Sequence, residues 1–253
     1  MTFELVSGGY FAAIGLLAPF AGAPVRRAVV VMVTAFGLTA FIYASARWLP
    51  IGARLWIAPA YLAIGYWLPA LLVTRPPAAF EAWLRRTERI RGRSFIAAEV
   101  AYLLCTPLTP AAFVVVWLNG SIEAVDHFWT AVLLAGFLCY VSLPWLVSRP
   151  PRLIEDALVE VPAIRRINVE TLDRFSHGWN TFPSGHVAVS LAAALAVLPV
   201  SIAAGILFLV VAAAIFVGAV WGRYHYSMDA LAGVVVAIAS TYVAYVRAGF
   251  SWP

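Results

Sequence analysis

Six stretches of this chain, 27–46, 52–73, 95–117, 126–147, 201–220 and 228–246, are each close to the roughly 20 mostly apolar residues that a helix needs to cross a bilayer. Inside hydrocarbon every backbone N–H and C=O must be satisfied within the protein, which leaves helices or a closed barrel. These runs are continuously apolar rather than alternating, so they read as helices. Two weaker candidates are 3–20, which contains Glu4, Gly8 and Gly9, and 186–199, which is short. The reading is eight spans, with six or seven as the alternatives. Trp48, Trp129, Trp145 and Trp221 stand near span ends and are expected to form an interfacial belt. The expected fold class is all-α, a polytopic transmembrane helical bundle. With 63% hydrophobic and 11% charged residues, the chain cannot be an ordinary soluble domain, which has about 25% charged residues.

Every basic residue is arginine, and the formal net charge is +5. The arginines lie in short loops between apolar runs, so a nucleic-acid-binding face is excluded. Residues 76–93 place Trp83, Leu84 and Ile90 among five arginines and are expected to form an amphipathic helix on the membrane surface, favoured by anionic headgroups. The longest polar segment is 148–184, and a connection of that length is usually functional. Cys105 and Cys139 lie within apolar runs and read as free thiols. The N-terminus carries Glu4 and no basic n-region, so it is kept in the mature chain.

Three constellations carry chemistry. In Arg223-Tyr-His225-Tyr-Ser-Met-Asp229 the histidine and aspartate are four residues apart, on one face if the last helix has begun. A carboxylate there fixes one imidazole nitrogen and frees the other as base or nucleophile. In Pro183-Ser184-Gly185-His186, Ser184 suits an N-cap and Gly185 permits close backbone approach. The free N–H groups of that first turn favour an anion, with His186 beside it. In Ser148-Arg149-Pro150-Pro151-Arg152, two guanidinium groups stand at a stiff corner and match phosphate geometry. Counting spans puts all three on one face of the membrane.

This order resembles the type 2 phosphatidic acid phosphatase (PAP2) superfamily, which includes lipid phosphate phosphatases, undecaprenyl-diphosphate phosphatases and vanadium haloperoxidases. Pro183-Ser184-Gly185-His186 matches its second motif, and His225 with Asp229 matches the His-x-x-x-Asp of its third. The resemblance implies a six-helix core within 50–253, with additional helices in 1–49. It implies that His225 is the nucleophile of a phosphohistidine intermediate, that Asp229 orients it, and that His186 protonates the leaving group. Arg149, Arg152, Arg223, Ser184 and the Gly185 backbone would hold the phosphoryl oxygens, and no metal or other cofactor would be needed. The partners implied are a lipid phosphate and the bilayer of the plasma membrane.

Two positions depart from the pattern. Ser142 stands where the first motif usually has lysine, and Ala219 where the third usually has arginine. Either Arg149 or Arg152 suits the first motif. The same residues would serve a phospholipid or sphingolipid headgroup phosphotransferase if a lipid alcohol replaced water. A proton- or ion-coupled transporter is the rival from another class. Against it stand the few acids within spans, chiefly Glu99 and Asp229, and the lack of paired broken-helix repeats. His186, His225 and Asp229 are a thin set for a metal. Glu99 is assigned no role. His127 and His177 are expected at the interface, His177 within reach of a substrate contact. Arginine asymmetry favours a cytoplasmic site, whereas the resemblance implies the outer face.

Overall fold

The computed structural model describes residues 1–89, 95–154 and 163–246. Its helices are α1 (Thr2–Leu17), α2 (Val25–Trp48), α3 (Ile51–Ala70), α4 (Ala78–Thr87), α5 (Ile96–Leu103), α6 (Cys105–Asn119), α7 (Ile122–Tyr140), α8 (Ala163–Phe175), α9 (Gly185–Val197), α10 (Ile202–Trp221) and α11 (Ser227–Val246). The described residues add only a two-residue antiparallel ladder, β1 (Val147–Ser148) with β2 (Asn180–Thr181). The protein is an all-α, multi-pass membrane bundle.

Five helices are long and apolar enough to cross a membrane: α1 with its 3₁₀ extension to Phe20, then α2, α7, α10 and α11. The pair α5 and α6, bent by 44°, makes a sixth if it is counted as one broken span. The expected straight run 95–117 breaks at Leu104 because Pro107 has no N–H for the Leu103 carbonyl and its ring crowds that turn. Of the eight apolar stretches, the remaining two fall short of this standard. Helix α9 has 13 residues, about 20 Å, against a hydrocarbon core of about 30 Å. Helix α3 is 20 residues long, but Arg54, Pro59 and Pro69 dilute its apolar character. The run 126–147 is shifted: α7 begins earlier, capped by the Ser121 hydroxyl, and ends at Tyr140 ahead of Pro144. Trp129, expected in the interfacial belt, is instead 2% exposed in the core.

Helix α7 is the central post. It packs against α1, α3, α9 and α11, and fourteen of its nineteen residues are buried. Helices α1 and α2 join the same hydrophobic core as the rest of the bundle; Tyr10 of α1 stacks on Phe137 at 4.0 Å and donates to the Gly65 carbonyl at 2.6 Å. The amphipathic segment expected at 76–93 is helical as α4 only, and 90–94 lie outside the described residues. Glu81, Leu84 and Glu88 of that segment face inward and Arg85, Arg86 and Arg89 outward. Phe80 and Trp83 of α4 pack edge-on against Phe182 at 5.2 and 6.1 Å. In the polar segment 148–184, residues 155–162 lie outside the described residues.

Candidate active site

Two helix starts meet at one end of the bundle. Ser184 caps α9 by accepting from Val187 N at 3.4 Å, and its own N–H donates to the Asp229 carbonyl at 2.9 Å. That bond joins the two motifs by backbone. Gly233, one turn beyond Asp229, makes the approach possible: a Cβ there would lie 2.8 Å from the Ser184 carbonyl oxygen. The Gly185 N–H donates to Thr181 Oγ1 at 3.0 Å, and a Cβ on Gly185 would meet the Tyr140 ring at 2.8 Å. The Asp229 carboxylate reaches back to the Tyr226 N–H at 3.1 Å, as an acid in the first turn of a helix does in a capping box.

The same Asp229 Oδ2 lies 3.2 Å from His225 Nδ1. The side chains of His225 and Asp229 are 3% and 0% exposed. A carboxylate only accepts, so Nδ1 carries the hydrogen and Nε2 presents its lone pair. Nε2 stands 3.4 Å from His186 Nδ1, with the ring centroids 5.6 Å apart. Burial, helped by the Arg152 guanidinium, pushes the His225 imidazole down to about 3, so it is neutral at physiological pH.

The two histidines, Arg152 and Gly185 line one cavity of about 660 Å³. Arg152 is held by its backbone N–H to the Arg223 carbonyl at 3.0 Å, and its guanidinium lies over the Tyr224 ring, 5.2 Å from the centroid. Arg149 points elsewhere: its Nε and Nη2 clasp Glu81 at 3.0 and 2.6 Å, and its side chain is 51% exposed. Arg223 sits in a left-handed backbone conformation, φ 60°, with its side chain buried outside the cavity lining. Thus the structure gathers His186, His225, Asp229, Arg152, Ser184 and Gly185, and turns Arg149 to Glu81.

Sequence reasoning left out a second layer. Glu99 on α5 is fully buried and accepts from Arg165 at 2.6 Å, from Asn168 at 2.8 Å and from the Tyr224 hydroxyl. Tyr224 stacks on Tyr102 at 3.8 Å, and its carbonyl accepts from Asn180 at 2.7 Å. The ring that carries Arg152 is therefore fixed from three sides. A lone acid in an apolar run was the available signal. Ser142, in the usual lysine position, donates to the Phe182 carbonyl and so ties the end of α7 to the cradle. Ala219 is fully buried, and its carbonyl accepts from Tyr224 and His225 N–H at 3.0 and 2.9 Å. His177 is half-buried and stacks on Tyr66 at 4.3 Å. His127 lies against Tyr245 at the opposite end, 5.1 Å between centroids.

The fold and the site together describe a multi-pass membrane bundle in which an aspartate-backed histidine, a second histidine and an arginine line one cavity. A sequence profile of the PAP2 superfamily matches residues 66–243, and the chain belongs to that superfamily. No curated protein and no solved structure matches it.

Proposed function

We propose that the protein hydrolyses a phosphomonoester or diphosphate of a lipid in the plasma membrane, through a phosphohistidine on His225. The observation that carries this reading is the line Asp229–His225–His186, at 3.2 and 3.4 Å, opening on the cavity that Arg152 lines. His225 Nε2 attacks phosphorus in line, and the bond from phosphorus to the lipid oxygen breaks. His186, lowered to about 3 by burial, His225 and Arg152, takes up a proton together with the anionic phosphate and gives it to that oxygen. Arg152, with the positive end of the α9 dipole, offsets charge on the equatorial oxygens. Water, deprotonated by His186, then cleaves the N–P bond. Asp229 holds the proton on Nδ1 throughout, which keeps Nε2 the nucleophile. Arg152, rather than Arg149, takes the first-motif role.

Phosphate release from phosphatidic acid, phosphatidylglycerol phosphate, polyprenyl phosphates and sphingolipid phosphates tests this, with purified protein in EDTA. Release that survives EDTA and disappears in His225→Ala is the expected result. Headgroup exchange between lipids without phosphate release would replace hydrolysis with phosphotransfer on the same residues. Ion flux in liposomes with neither reaction would leave the site to a transporter.

A further inference from the structure

The cavity that holds the histidines continues well past them. It runs into the bundle between α3 and α6. Its lining on α3 extends from Tyr66 back to Trp56, and on α7 from Tyr140 back to Trp129. At 1.5 Å per residue both walls have a depth of roughly 15 Å. Polar groups gather at the site end, where Arg152, Asn180 and Thr181 join the histidines, whereas the deep end is mainly apolar and aromatic. There Trp56 meets Phe113 edge-on at 4.8 Å and Trp117 at 5.4 Å, and Phe113 meets Trp129 at 4.9 Å. These rings bring α3 and α6 together and close the floor.

Toward the site the same two helices are spread apart. The 44° bend at Leu104 tilts α6, and Leu103, Cys105 and Thr106 at the bend line the cavity. Beside the opening, Trp67 and Val114 remain 44% and 45% exposed, so the cleft faces the bilayer laterally. Protein interiors are close-packed, and an apolar void forfeits contacts unless something fills it. An apolar cleft closed at its floor, open at its side and continuous with the proposed phosphate site has the form of a binding site for an amphiphile.

We propose that this cleft takes a single hydrocarbon chain of the lipid phosphate, and that Trp56, Phe113 and Trp129 set the length it accepts. The inference rests on the reading above, which places the phosphate at His225. One cavity of about 660 Å³ has to hold headgroup and chain together, within the range of pockets that enclose one small ligand. A second chain stays in the bilayer or is absent from the substrate. Entering from hydrocarbon, a chain gains little transfer free energy, so the floor acts by rejecting chains that are too long rather than by attracting those that fit.

The test uses the full-length protein in nanodiscs and a series of monoalkyl phosphates from butyl to hexadecyl. Normalised to the butyl ester, kcat/KM is expected to hold or rise until the extended chain reaches roughly 15 Å, then to fall by about tenfold or more as extra methylenes meet the floor. Phe113→Ala should move that break to longer chains. Ala63→Trp, which fills the cleft part-way, should move it to shorter ones, so the test survives if either variant fails to fold. A flat profile, or one unmoved in both variants, would overturn the proposal. If no alkyl phosphate is turned over, the lipid panel above decides the phosphatase reading and photolabelling decides the cleft alone. Dodecyl phosphate with a terminal diazirine should then label the peptides of Trp56, Phe113 or Trp129 in His225→Ala protein. Adducts confined to outward-facing residues such as Val33 and Ile238, 64% and 55% exposed, would end it.

Discussion

Both ends of the bundle bury charge, but they use it differently. At the end away from the histidines, Glu4 takes Arg54 at 2.6 Å and the terminal ammonium at 3.1 Å, while Asp126 accepts the Thr2 and Phe3 N–H groups at 3.1 Å each. Those carboxylates are consumed inside the protein, and they pin α1 to α3 and α7. At the other end, Asp229 is equally buried, yet the chain of bonds it starts finishes at the His186 imidazole, which lines open space together with the Arg152 guanidinium. Buried ionisable groups at the end of a membrane helix mark function by default. The comparison refines that rule: hydrogen-bonding capacity spent within the fold marks assembly, and capacity turned into a cavity marks chemistry.

The contrast can be broken most decisively at His225. His225→Ala should lower phosphate release by about 10³-fold or more, and His186→Ala by about 10²-fold or more, with folding intact by thermal melting. Comparable losses in Asp126→Asn would erase the distinction between the ends.

The two neighbouring arginines sharpen it next. Arg152→Ala should cost about 10²-fold in kcat through lost charge stabilisation. Arg149→Ala should change kcat by less than about tenfold and act on stability, because its guanidinium serves Glu81. Steady-state kinetics that invert this order would return the phosphate-binding role to Arg149.

Below the site, Glu99→Ala strands Arg165 in the interior and should destabilise the fold by about 3 kcal/mol, seen in chemical or thermal unfolding. Because the Tyr224 platform under Arg152 loosens too, activity should fall even where the protein stays folded. At the far end, Asp126→Asn should cost about 1 kcal/mol of stability and leave turnover nearly unchanged.

The smallest effect concerns pH. Burial, with His186 nearby, lowers His177 from 6.5 to about 4. The unfolded chain therefore binds a proton more readily, and stability falls as pH drops from about 6.5 toward 4. His177→Phe should flatten part of that slope in melting curves. An unchanged slope would show that His177 is solvated.

The crossings that apolar run length marks were legible from the chain, since bilayer thickness imposes that length on any sequence. So were Ser184 at its cap and the pair His225–Asp229, because both are local, although His225 precedes α11 and meets Asp229 from the turn before the helix rather than along one helical face. Other features were beyond local pattern. Pro107 lay in view, but which helix would give way, and that a cleft would open beside it, depended on how α6 seats on α7 and α9. The different placements of Arg149 and Arg152 were set by Glu81 on α4 and by Tyr224, residues far away in sequence, since a guanidinium takes whichever acceptor or ring the fold brings within reach. Glu99 likewise acquired its meaning from Arg165 and Asn168 of α8. Short-range periodicity and hydropathy thus determined the helices, and local motifs the candidate site residues. Only packing decided which polar groups were consumed, which faced the cavity, and how deep that cavity runs, because those outcomes depend on contacts between residues that no local spacing relates.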